Sequence, residues 1–265
     1  MNVREKFLRT MDFDLSTPPP LWEMAYWIET IERWRKEGDI EFVGDDADEN
    51  RRHGMVHVNG VPVIKDGDGG TIELERPLEI FPGNYWIWPE YEREVIEDRG
   101  DRQIVIDEIG VTMEVVANSA SIPRYIEWPV TNREDWERYK AERFDLNAPG
   151  RYPDRLDETI AKYNDRDFAL RLGKWVGFFG PIRFFLGEVR LLTAYYDDPD
   201  FVRDIVNDLI DFYIAVYNPV LEKLDIDVFT MWEDMCFKTG PLISPELFRE
   251  FMLPAYKKFT SYLKD

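Results

Sequence analysis

The fold turns on residues 197–235, "DDPDFVRDIVNDLIDFYIAVYNPVLEKLDIDVFTMWEDM". Asp198 stands where a helix N-cap belongs, and Pro199 follows at the first helical position, where its missing N–H costs nothing. From there Val202, Ile205, Leu209, Phe212, Val216, Val220 and Leu224 fall on one stripe, so the stretch predicts a long amphipathic helix. "VFTM" (228–231) then reads as a short buried strand with Glu233 and Asp234 just beyond its end. Upstream, "FALRLG" (168–173) reads as another strand stopped by a glycine. Downstream, "SPELFREFMLPAYKKFTSYLKD" repeats the cap chemistry with Ser244, Pro245 and Glu246, and Pro254 should kink or break its helix. Strand, loop and helix in alternation imply parallel βαβ units, an α/β class.

Working outward, "NVREKFLRTM" has the spacing of a short amphipathic helix, with Val3, Phe7, Leu8 and Met11 apolar. Three prolines forbid helix up to Pro20; "LWEM" (21–24) then predicts a short buried strand and "YWIETIERWRKEG" a helix stopped by Gly38. Residues 39–75 are polar and rich in Gly and Asp, and read as loop and irregular hairpins. The stretch from 91 to 117 alternates β-branched residues around the breaks "EDRGD" and "DEIG", which predicts an inserted antiparallel β-meander of two or three strands. "VTNREDWERYKAERF", capped by Thr131 or Asn132, and "PDRLDETIAKYNDRD" predict two further helices.

The chain of 265 residues is 44% hydrophobic and 15% aromatic, enough to fill a core, and is expected to form a single domain over 1–265. Its formal net charge of −20 is spread along the chain, which argues against nucleic acid as a partner. No apolar run approaches the roughly 18 residues of a membrane span, and the opening lacks the pattern of a signal peptide, so a cytoplasmic protein is expected. The single cysteine, Cys236, excludes an internal disulfide and a multi-cysteine metal cage.

In a parallel α/β barrel the C-terminal strand ends carry the chemistry. Three such ends would bring together Trp22 and Glu23, Lys174 and Trp175, and Trp232, Glu233 and Asp234. Adjacent carboxylates in a partly dry site repel each other, so one can hold a proton as general acid while the other stays ionised. Glu233, Asp234 and Glu23 are therefore the candidate catalytic residues, and Trp22, Tyr26, Lys174, Trp175, Trp232 and Arg124 the candidate substrate-binding residues. The plainer alternative has Glu233 paired with Lys174 and Asp234 capping a turn. His53 and His57 have metal-ligand spacing only on a helix, which Gly54 and Gly60 disfavour, and Cys236 reads as an inert thiol. The glycines of "GKWVGFFGP" match neither a phosphate loop nor a dinucleotide fingerprint.

The second half, "GFFGPIRFFLGEVRLLTAYYDDPDFVRDIVNDLIDFYIAVYNPVLEKLDIDVFTMWEDM" followed by "SPELFREFMLPAYKKF", resembles the uroporphyrinogen decarboxylase superfamily, as do "REKFLRTM" and "PPPLWEM" at the front. The resemblance implies a TIM (β/α)8 barrel and a small-molecule substrate, with no cofactor held by this chain. It leaves two reactions open: decarboxylation of a tetrapyrrole, as in porphyrin biosynthesis, and methyl transfer with a corrinoid protein as partner. The decarboxylases carry arginines after the first strand that hold the carboxylates of the tetrapyrrole; Ala25 and Glu29 stand there instead, so the substrate is expected not to be uroporphyrinogen. The methyltransferases bind substrate thiols at a His-x-Cys zinc site, which does not occur in these residues; in the family pattern it lies beyond residue 265. By that pattern the chain covers about half of a barrel, roughly four strands, and is expected to be C-terminally truncated. A homodimer is compatible with all of this. A glycosidase-like carboxylate pair flanked by tryptophans is a second enzymatic reading, and an inactive or binding fragment a third.

Overall fold

The computed structural model describes residues 1–22, 26–37, 40–43, 55, 56, 61–65, 71–73, 75, 77–116 and 122–264. The chain opens with helix α1 (Val3–Met11), strand β1 (Tyr26–Trp27), helix α2 (Ile28–Glu37) and strands β2 (Ile40–Val43), β3 (Met55–Val56), β4 (Val61–Lys65) and β5 (Thr71–Glu73). Strands β6 (Leu78–Ile80), β7 (Glu94–Asp98), β8 (Arg102–Ile106), β9 (Thr112–Val116) and β10 (Arg124–Glu127) follow. Then come α3 (Arg133–Arg143), α4 (Leu156–Asn164), β11 (Ala169–Leu172), α5 (Gly180–Leu186), α6 (Glu188–Asp197) and α7 (Pro199–Leu221). The last elements are β12 (Val228–Phe229), β13 (Cys236–Phe237), β14 (Gly240–Pro241), α8 (Pro245–Leu247), a π-helical turn (Phe248–Met252) and α9 (Leu253–Tyr262).

The architecture is mixed α/β. A parallel sheet in the order β12-β11-β6 lies at its centre, with Arg171 level with both Ile80 and Val228 and Leu172 level with Phe229. All seven predicted stripe positions, from Val202 to Leu224, are buried in the main core. Phe229 packs its ring against Tyr217 of α7 and Phe259 of α9, which identifies the helix-covered side of the sheet. Asp198 caps α7 by accepting from the Phe201 amide at 3.1 Å. At the other end of the sheet, α1 is closed by a capping box in which Asn2 accepts from Glu5 N and Glu5 accepts from Asn2 N. Its Arg4 grips Asp227 just before β12, at 2.8 Å, and Arg166 reaches the same carboxylate at 2.7 Å.

Strands β7 to β10 make a separate antiparallel sheet in sequence order. Its turns use the two breaks read from the sequence. Asp98 accepts from Gly100 N in one, and Asp107 accepts from Ile109 N and Val111 N in the other. The sheet has a fourth strand, β10, beyond the predicted meander of 91–117, because Arg124 to Glu127 pair back on β9 across a bulge.

Several expectations need correction. Among the described residues the sheets do not close into a barrel, and three parallel strands are present where four were expected. Of the predicted strand 21–24, Glu23 and Met24 lie outside the described residues, and Leu21 and Trp22 are not in a strand: among the described residues Leu21 bridges to Glu75, its amide to the carboxylate and its carbonyl accepting from the Glu75 amide. The prolines just before them have no N–H to give a ladder. The third parallel strand is β6, in a stretch not assigned any element from the sequence. Tyr26 and Trp27, expected to begin a helix, pair antiparallel with Val56 and Met55, so the helix starts at Ile28. Pro254 does not break its helix: the backbone stays helical from Pro245 to Tyr262, and the π-helical turn at Phe248–Met252, in which Leu253 N donates to Phe248 O, accommodates the proline.

Candidate functional site

The loops leaving β11 and β12 are locked together. Thr230 N donates to Leu172 O at 2.9 Å, its hydroxyl donates to Gly173 O, and Trp232 N donates to Val176 O at 2.7 Å. Gly173 holds φ +85°, and a Cβ there would come within 2.1 Å of Thr230 O. Trp175 adopts φ +61°, a left-handed conformation that a bulky residue keeps only when its surroundings enforce it. Its ring meets Trp232 edge-on at 5.1 Å and Phe184 at 5.7 Å, while Phe184 and Trp232 stack at 5.1 Å.

Glu233 closes this arrangement. Its carboxylate accepts from the amides of Phe178 at 2.5 Å, Phe179 at 2.9 Å and Gly180 at 2.7 Å, and from the Tyr256 hydroxyl. Those amides form the approach to α5, so the anion sits where the first unpaired N–H groups of a helix favour negative charge. Burial raises the Glu233 pKa above the ordinary range, and the Tyr256 hydroxyl and the three amides oppose that rise without cancelling it. Gly177 leaves the space the side chain needs: a Cβ there would fall 2.5 Å from Trp232 O and 2.7 Å from Glu233 Oε1.

Asp234 points the other way. It is exposed and pairs with Arg183 of α5 at 2.5 Å. Tyr125 on β10 lies within electrostatic reach of both, since Arg183 lowers and Asp234 raises its pKa against a larger upward push from burial.

The predicted residues therefore divide. Lys174, Trp175, Trp232, Glu233 and Asp234 belong to the two interlocked loops, with Lys174 exposed. Neither plainer alternative holds, because Glu233 binds amides rather than forming a cross-strand ion pair and Asp234 binds an arginine. Arg124 neighbours Tyr125 on β10, but alternation along the strand sends the two side chains to opposite faces, and Arg124 is felt by Glu114. Trp22 is 41% exposed, outside the parallel sheet. Glu23, His53 and His57 lie outside the described residues, as does the side chain of Tyr26, so a carboxyl partner across from Glu233 is not among those described.

Sequence reasoning missed Tyr256, Arg183 and the two glycines. Gly177 and Gly180 were the available signal: their small size is explained by contact with Trp232 and Glu233, since a Cβ on Gly180 would strike the Trp232 ring at 2.7 Å. Among the described residues no group of three metal-ligating side chains occurs, and no helix is long and apolar enough to cross a membrane. A cleft of about 250 Å³ lies on the outer helical layer between α3 and α7, lined by Trp136, Lys140, Phe144, Asp208 and Phe212, away from the strand ends.

No family model matches the chain, and neither does any curated protein or solved structure.

Proposed function

We propose that the chain belongs to an enzyme of the uroporphyrinogen decarboxylase superfamily, on the (β/α)8-barrel plan, whose substrate lies over the C-terminal ends of β6, β11 and β12. The observation that carries this reading is the pair of interlocked loops at the ends of two adjacent parallel strands, one supplying Trp175 and the other Trp232, Glu233 and Asp234. Ligands of open parallel sheets and barrels bind at that end. Within it, Glu233 is a positioning residue, since all four of its contacts bind it to the protein. Asp234, exposed beside Arg183, is the acid available to substrate, and the Trp175 and Trp232 rings form the apolar wall.

The reaction is decarboxylation or corrinoid-linked methyl transfer, on a substrate other than uroporphyrinogen, because Ala25 and Glu29 replace the arginines that would hold that polyanion. A zinc-bound thiol does not fit the residues here: Cys236 is exposed and no His-x-Cys pair occurs. The test is to assay the protein against carboxylated pyrroles and against methylcobalamin with small thiols. Release of carbon dioxide or loss of the methyl group, abolished by Asp234→Asn at unchanged melting temperature, is expected. Coproporphyrinogen formed from uroporphyrinogen III would overturn the altered pocket, and silence in every assay would overturn the enzyme reading in favour of a binding role.

A further inference from the structure

Arg171 occupies the centre of the central strand. It is level with Ile80 on one side and Val228 on the other. Its neighbours Leu170 and Leu172 are fully buried, and Leu172 is level with Phe229, whose ring packs on α7 and α9. Alternation along the strand sends Arg171 to the opposite face, beside an Ile80 that is 42% exposed.

The guanidinium there is partly buried and makes no hydrogen bond or ion pair among the described residues. Loss of hydration lowers its pKa, and no carboxylate among the described residues offsets that. Other partly buried arginines are committed. Arg4 and Arg166 hold Asp227, Arg183 holds Asp234, and Arg151 donates to backbone carbonyls. A shortage of acids does not explain the difference, since the chain has 53 Asp and Glu against 33 Lys and Arg. A cation that has lost part of its hydration, with no counter-charge among the described residues, is costly to the fold. Local rules broken in this way concentrate at functional sites. The planar fork of a guanidinium fits the two oxygens of a carboxylate or a phosphate, and here it is framed by the apolar side chains of Ile80 and Val228.

We propose that Arg171 anchors the carboxylate or phosphate group of a small-molecule ligand on the sheet face that it shares with Ile80 and Val228. The inference stands on the placement of this side chain and does not depend on the superfamily reading.

The test uses sodium succinate and sodium phosphate as probes, against sodium chloride at equal ionic strength, with binding followed by calorimetry and by thermal shift. One of the two probes is expected to bind saturably to the native protein, and which one does so distinguishes carboxylate from phosphate. Arg171→Met should weaken that binding at least tenfold and Arg171→Lys less. Non-specific stabilisation by phosphate acts on native and variant protein alike, so the difference between them isolates the site. Arg171→Met should also melt no lower than the native protein, because no partner is lost. Equal anion responses in native and Met variant, no response beyond chloride, or a melting temperature of the Met variant well below native would each overturn the proposal.

Discussion

Tyr256 of α9 donates its hydroxyl to the carboxylate of Glu233, and so ties the C-terminal helix to the amides that open α5. A single side chain thus joins three segments far apart in the chain. Glu233→Gln keeps the shape but turns an NH2 group towards donors. It should cost about 2–3 kcal/mol, a fall in melting temperature of about 5–10 °C. Tyr256→Phe should cost about 1 kcal/mol, and the double variant less than the sum. Urea titrations of the three proteins check this; additive losses would show that the two groups do not act together.

Gly173 and Gly100 offer a matched pair. Both have positive φ, +85° and +89°, so alanine strains both backbones alike, but of the two only Gly173 would bring the new Cβ against other atoms, Thr230 O and the Phe229 ring. Gly100→Ala should cost about 1 kcal/mol from conformation alone. Gly173→Ala should cost about 1–3 kcal/mol more and loosen the junction of the two loops. Thermal denaturation of the two variants side by side measures the clash.

Arg151, 1% exposed, donates to the carbonyls of Asn84, Trp86, Trp88, Arg143 and Asp145. An ammonium cannot reach five acceptors in that fork. Arg151→Lys should therefore destabilise by about 2–4 kcal/mol despite keeping the charge. Near-native stability in a chemical melt would contradict this account of the loop.

Stability in acid should depend on Asp227. Burial raises its pKa, but Arg4, Arg166 and the Leu170 amide more than reverse that, and the net pKa lies below the ordinary carboxylate range. The unfolded chain then binds a proton more readily than the folded one. The contribution is present above about pH 4 and is lost as pH falls through the folded value. Asp227→Asn should lower the melting temperature at pH 7 and flatten its decline between pH 5 and 3; an unchanged slope would sink the assignment.

Legibility followed the range of the interactions. The stripe and cap of α7 were readable because Asp198 and the positions from Val202 to Leu224 act within a few turns of one another. The turns at Asp98 and Asp107 were readable for the same reason. By contrast β6 has three residues, one of them Glu79, too few to show a period. Tyr26 and Trp27 adopt strand conformation through pairing with Met55 and Val56, which no local preference encodes. At the candidate site the sequence placed Glu233 and Asp234 at a strand end but could not tell them apart. Their difference comes from Phe178, Phe179 and Gly180 approaching one and Arg183 the other.

The order of the parallel sheet also sets a timetable. The strand at Ala169–Leu172 is its middle member, between a partner completed long before it at Leu78–Ile80 and one that follows at Val228–Phe229. During synthesis the early strand leaves the ribosome with nothing to pair with, and the middle strand then keeps one edge bare until α5, α6 and α7 have all been made. A growing chain in that interval exposes an apolar strand edge, so chaperone demand and aggregation should peak in nascent chains that have released Ala169–Leu172 but not yet Val228–Phe229 from the ribosome.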